Sequence, residues 1–203
     1  MIRLEKDGSL WTVTLDRADK ANALTRGMLE DLAGIARAAE TGAKALILTG
    51  EGRVFSAGMD LAEAETGLAT DPVWEQLSNT LAALPCLTIA ALNGTLAGGA
   101  FGMVLACDLR LAVPEARFFY PVMKLGFLPQ PSDPGRLAAL VGPARAREIL
   151  MAGQKVPAET ALTWGLLNRI SERDGLIKDA RALAEDALGA ETSHIAGIKG
   201  LLP

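Results

Sequence analysis

Ile89-Ala90-Ala91-Leu92-Asn93-Gly94-Thr95-Leu96-Ala97-Gly98-Gly99-Ala100-Phe101-Gly102 is the stretch that decides the fold class. It opens on a continuous apolar run, as a strand covered on both faces does, and breaks at the turn dipeptide Asn93-Gly94. A helical stretch over residues 98–106 then begins on two glycines. Similar patterns flank it. Residues 45–48 and 109–113 are further short apolar runs, and residues 9–15 alternate with period two. Residues 25–40 set Met28, Leu29, Leu32, Ile35 and Ala36 at helical spacing, with Thr25 as N-cap and Gly42 as stop. A more polar helix is expected over 71–84. Residues 134–141, 143–151, 157–164 and 175–188 read as short helices, the first three opened by proline, and residues 165–170 can supply one more strand. Strands alternating with helices of this length predict an α/β fold with parallel pairing.

The composition narrows the function classes. Of 203 residues, half are apolar, and the formal net charge is −4. Disorder is excluded on the first count, and no Lys/Arg cluster suggests a nucleic-acid partner. Cys86 and Cys107 lie in apolar surroundings and read as buried thiols of a reducing, cytoplasmic compartment, since a zinc site needs further ligands at short spacing. The amino end shows no leader pattern. Residues 76–107 carry no charge, long enough to span a bilayer, but Pro85, Asn93, Gly94, Gly98, Gly99 and Gly102 divide the stretch, so no membrane association is expected.

Two segments carry chemistry. One is Phe55-Ser56-Ala57-Gly58-Met59-Asp60-Leu61, a small-residue turn after a buried strand; the other is the turn at Gly98-Gly99. Glycine admits a ligand close to the backbone, and the first N–H groups of a helix have no internal partner. A donor from each turn could form a two-amide pocket for an oxyanion. Taken alone, either glycine set reads more simply as tight packing between helix and strand. Phosphate-loop and dinucleotide readings fail, because no Gly-Lys-Ser/Thr follows Gly52 and Ala97 holds the first glycine position of GxGxxG.

In their order and separation these segments resemble the crotonase superfamily, the enoyl-CoA hydratase/isomerase family. The resemblance begins at Leu15-Asp16-Arg17-Ala18-Asp19-Lys20-Ala21-Asn22-Ala23-Leu24, similar to the family's Arg-Pro-x-x-x-Asn-Ala-Leu. It runs through Phe55 to Leu61, Asn93-Gly94, Gly98-Gly99 and Cys107-Asp108, and ends near Leu150-Met151-Ala152-Gly153 and residues 161–168. It implies an α/β crotonase-like spiral of β-β-α units over 1–140, followed by a short helical carboxyl-terminal region over 141–203. Further family helices, which close the acyl pocket and support a trimer, would lie beyond Pro203. It implies an acyl-CoA substrate, with coenzyme A as part of that substrate and no separate cofactor or metal, and a homo-oligomer, most simply a trimer. The backbone N–H groups of Met59 and Gly99 match the family's oxyanion hole. Lys20, Ala21 and Ala23 match the segment beside adenine and pantetheine; Ala57, Asp60 and Leu61 match that beside adenine and the thioester.

The sequence also departs from the family. Hydratases of this kind use two glutamates, and these positions map onto Gly102 and Val122. Water addition needs one group to activate water and one to protonate carbon, so hydration is not expected, and isomerases that keep only the second glutamate are poorly matched as well. Tyr120 could donate a proton or simply pack. Asp133, in Pro129-Gln130-Pro131-Ser132-Asp133-Pro134, could take the missing base's role or cap a helix. Glu63 and Glu65 read as a solvated face, and His194 as a surface residue. Decarboxylation or thioester hydrolysis, which need mainly oxyanion stabilisation, tolerate the loss better than hydration does. A non-catalytic acyl-CoA-binding or assembly protein is the rival expectation, and a plain α/β scaffold the third.

Overall fold

The structure, a computed structural model, describes residues 1–202; the side chains of Ala64 and Glu65 lie outside the description, and with them the reading of Glu65. The chain opens with β1 (Ile2–Asp7), β2 (Leu10–Leu15), α1 (Arg26–Gly42), β3 (Ala45–Gly50), β4 (Val54–Ser56) and α2 (Val73–Ala82). It continues with β5 (Leu87–Leu92), β6 (Thr95–Ala97), α3 (Phe101–Leu105), β7 (Leu109–Ala112), β8 (Arg117–Phe119) and α4 (Val122–Leu125). Last come α5 (Asp133–Val141), α6 (Pro143–Leu150), β9 (Val156–Pro157), α7 (Ala158–Trp164), β10 (Arg169–Ile170), α8 (Leu176–Gly189) and α9 (Thr192–Gly200).

These strands form two sheets. The larger runs β1-β2-β3-β5-β7-β10, antiparallel only between β1 and β2; the smaller runs β4-β6-β8-β9, antiparallel only between β8 and β9. The pairs β3/β4, β5/β6 and β7/β8 each give one strand to either sheet, which makes the chain a spiral. The carboxyl-terminal segment is mostly helical and adds β9 and β10 as edge strands.

Local chemistry fixes the elements as the sequence implies. The Thr25 hydroxyl accepts from the Met28 N–H at 3.2 Å, and α1 buries Met28, Leu29, Leu32, Ala33, Ala36 and Ala39. The strand β2 is buried at every residue, including Thr12 and Thr14, because both of its faces are covered. The uncharged stretch 76–107 becomes the end of α2, then β5, β6 and α3. Among the described residues no helix is long and apolar enough to cross a membrane. Phe55, Phe101 and Phe118 are fully buried. Burial pushes the Cys86 thiol up to about 11 and Cys107 up to about 12, so both stay unreactive at neutral pH.

Candidate active site

Two glycine turns meet behind the small sheet. At the end of β4, the buried Ser56 hydroxyl donates to the Asn22 carbonyl at 2.8 Å and accepts from the Gly58 N–H at 3.1 Å. Gly58 has φ +90° and Gly98 φ +58°, left-handed values that a side chain would strain. A Cβ on Gly58 would come within 2.9 Å of the Ala97 carbonyl and 3.3 Å of the Gly98 α-carbon. The turns carrying Met59 and Gly99 therefore touch through backbone.

The two N–H groups at this meeting point are free. Leu24 bridges Met59 in parallel, donating to the Gly58 carbonyl at 2.7 Å and accepting from the Asp60 N–H at 2.9 Å, which leaves the Met59 N–H out of the ladder. Gly99 lies in the 3-10 turn Gly98–Ala100 that feeds α3, where an N–H has no partner one turn back. Among the described residues neither N–H donates a hydrogen bond, and both residues are half-buried. Trp74, which the sequence reading did not single out, walls this end. A Cβ on Gly99 would stand 3.2–3.4 Å from three Trp74 ring atoms, and the indole N–H is fixed on the Leu68 carbonyl at 2.8 Å.

The segments matched to coenzyme A lie side by side. Ala57 donates to the Ala21 carbonyl at 2.9 Å, Lys20 and Ala57 are exposed, and Ala21 and Ala23 are half-buried. Leu61 is 80% exposed. Asp60 is different: its carboxylate is tied to Arg17 and to the Ala62 N–H at 2.8 Å, and the Arg17 hydrogen bond holds it below the usual carboxylate range. Its side chain is thus a strut between the segments, not a free ligand group. Glu63 is not a solvated side chain either; half-buried, it accepts from the Arg26 N–H at 2.8 Å and caps α1. His194 is exposed on α9, as the sequence suggests.

Asp133 lies against Gly102 of α3. Its carboxylate is fully buried, and a Cβ on Gly102 would stand 3.0 Å from Oδ1 and 3.5 Å from Oδ2. The Tyr120 hydroxyl donates to Oδ2 at 2.9 Å, while Oδ1 has no partner among the described residues. Asp133 is thus no helix cap. It opens α5, but its side chain turns away from the helix amides toward Gly102 and Tyr120. Burial first of all pushes its carboxyl up to about 7; the Tyr120 hydrogen bond opposes that, Glu75 adds to it, and Arg136 works against it. Burial likewise raises Tyr120, whose ring stacks on Phe101 at 5.3 Å between centroids. Val122, at the second vacant glutamate position, is buried. The space that a side chain on α3 would fill therefore holds a carboxyl carried by α5.

A broad groove of about 1130 Å³ lies elsewhere, between α9 and the ends of β5 and β7, and contains none of the predicted site residues. Tyr120 and Asp133 instead lie against α3, at Phe101 and Gly102.

Comparison with known proteins places the chain in a family. A family described as enoyl-CoA hydratase/isomerase matches residues 5–202. A Mycobacterium tuberculosis protein named "Probable enoyl-CoA hydratase echA6" is 34% identical over 187 residues, spanning 92% of this chain and 75% of its own. Carnitinyl-CoA dehydratase of Escherichia coli K12 is 33% identical over 205 residues, 98% of this chain and 78% of its own. The crystal structure of an enoyl-CoA hydratase/carnitine racemase from Magnetospirillum magneticum superposes with a TM-score of 0.90 at 30% identity, over 98% of this chain and 79% of the other.

Proposed function

The chain belongs to the enoyl-CoA hydratase/isomerase family, and we propose that it moves one proton at the carbon beside an acyl-CoA thioester instead of adding water. The thioester carbonyl takes the N–H groups of Met59 and Gly99, and coenzyme A follows Lys20, Ala21 and Ala23 on one side and Ala57 and Leu61 on the other. Removal of a proton from the adjacent carbon places negative charge on that carbonyl oxygen as an enolate, where fixed donors stabilise it most. Gly102 stands three residues past Gly99, about 5 Å along a helix, so the carboxyl over Gly102 lies at the distance of the neighbouring acyl carbons. Asp133 takes the proton as carboxylate and returns it as acid to another carbon of the same acyl group. Electrons and atoms balance with no co-reactant. Tyr120 holds Asp133 in place through Oδ2 and leaves Oδ1 for the proton.

The observation that carries this reading is the unpartnered, buried Oδ1 of Asp133 in the space over Gly102. Such an atom is costly to keep without a use. One carboxyl supports a proton shift, whereas hydration calls for two groups. Decarboxylation, which the sequence favours together with thioester hydrolysis, fits less well, because Asp133 and Glu75 at this end repel a substrate carboxylate. Assembly as a homo-oligomer, most simply a trimer, belongs to the same proposal and is read by sedimentation.

The test is turnover of a β,γ-unsaturated acyl-CoA, an α,β-unsaturated acyl-CoA and malonyl-CoA, by the wild type and by Asp133→Asn. Double-bond migration that falls by about 10²–10⁴ in Asp133→Asn is expected, with no hydration. Malonyl-CoA decarboxylation indifferent to Asp133→Asn overturns the proton-shift reading. Tight acyl-CoA binding without turnover of any ester makes the chain a binding protein.

A further inference from the structure

Two helices are joined beside Asp133 by a closed ring of hydrogen bonds. Glu75 and Asn79 lie one turn apart on α2, and Arg136 lies one turn after Ser132, which precedes α5. Glu75 Oε2 accepts from the Ser132 N–H at 3.3 Å and from the Ser132 hydroxyl at 3.1 Å. The Arg136 guanidinium donates to the Ser132 hydroxyl at 2.7 Å and to Asn79 Oδ1 at 2.8 Å. Asn79 Nδ2 closes the ring on Glu75 Oε1 at 3.1 Å. Ser132 occupies the N-cap position of α5 but makes no side-chain bond to its own helix. The carboxylate at the start of α5 comes instead from α2.

We propose that Glu75 is the positioning residue for Asp133, holding the first turn of α5 against α2 so that the Asp133 carboxyl stays over Gly102. The proposal rests on Asp133 being the proton-transfer group. Ser132 is the residue directly before Asp133, so any shift at the Glu75–Ser132 contact displaces the carboxyl at once. Proton transfer is steeply sensitive to such displacements. Glu75 also has an electrostatic part. The titratable and charged groups facing Asp133 are Tyr120 after β8, Glu75 on α2 and Arg136 on α5, while α3 carries none. Within that set Glu75 is the one anion, and it favours the protonated form of Asp133.

Glu75→Gln keeps an acceptor for Ser132 and removes the charge; Glu75→Ala removes both. The Asp133 carboxyl is followed by ¹³C NMR of aspartate-labelled protein against pH, beside kcat and KM for the ester that turns over. In Glu75→Gln the Asp133 midpoint moves to lower pH. In Glu75→Ala kcat falls at least tenfold with KM little changed, and Glu75→Gln recovers part of that loss. A purely structural Glu75 predicts lower thermal stability with an unmoved Asp133 midpoint and wild-type kcat in the folded fraction; that result overturns the proposal. The NMR titration needs no turnover. If the wild type converts none of the esters, the reaction assigned above fails, while the midpoint shift still decides whether Glu75 governs Asp133.

Discussion

Tyr120 and Asp133 share one hydrogen bond, 2.9 Å from the phenol oxygen to Oδ2, and the other, buried carboxyl oxygen has no partner among the described residues. Burial dominates that pair. It raises both groups, so near neutral pH the phenol keeps its proton and the carboxyl stands near half-titration.

Stability follows from that shift. The folded-state value of about 7 lies above the ordinary carboxylate value, so the folded chain binds more protons than the unfolded one across that interval. Stability contributed by the protonated group is full below about pH 4 and is lost as pH rises through about 7. Asp133→Asn therefore raises Tm at pH 8 relative to the wild type, and the difference shrinks on acidification toward pH 5. Thermal melts of both proteins over that range check it. In the same interval the wild-type rate rises with pH as the base ionises, and a flat profile would remove Asp133 from the chemistry.

Gly102 leaves a side chain little room beside Asp133. Gly102→Ala puts a methyl group 3.0 Å from Asp133 Oδ1 with helix α3 behind it and α5 in front. The crowding costs about 1–3 kcal/mol of stability and moves the carboxyl, so kcat falls while acyl-CoA binding stays. Chemical denaturation and single-turnover rates separate the two effects.

At Gly99 the N–H itself can be isolated. Gly99→Ala and Gly99→Pro both crowd the Trp74 ring, but only proline lacks the donor. Loss of one such donor lowers kcat about 10²–10³-fold, so the proline variant should fall that far below the alanine variant. Equal rates would remove Gly99 from the carbonyl site.

Trp74→Ala empties the space beside Gly99. The cavity costs about 3–5 kcal/mol, and the loosened wall admits longer acyl groups, so the chain-length profile of kcat/KM shifts upward. An unchanged profile in the folded variant would place Trp74 outside the acyl pocket.

How much of this was legible in the sequence depends on the range of each interaction. The helix α1, the strands β3, β5 and β7, and the proline-opened α6 announce themselves through local apolar runs and caps. The strands β4, β6, β8 and β9 have three residues or fewer, too short to show a period, and the small sheet was invisible for that reason. The glycine turns were legible because ordered motifs mark them. Asp133 could be singled out, but its role could not: Asp-Pro at a helix start also describes a cap, and only the fold shows the helix end served by Glu75, 57 positions away. Glu63 was misread on the same account, since its partner, Arg26, lies 37 positions earlier. Trp74 gave no signal at all; a tryptophan at helical spacing is ordinary core until the strand order brings Gly99 beneath it.

The contact of Gly58 against Gly98 has one more consequence. The spacing of the two proposed donors is inherited from main chain resting on main chain, with no side chain in between. The proposed acid–base end hangs on the α2–α5 ring, and α2 also lays Trp74 against Gly99. A graft that replaces the start of α5 would therefore keep the same hold on a thioester only if it also keeps α2 in register, since a tilt of that helix moves Trp74 and Glu75 together.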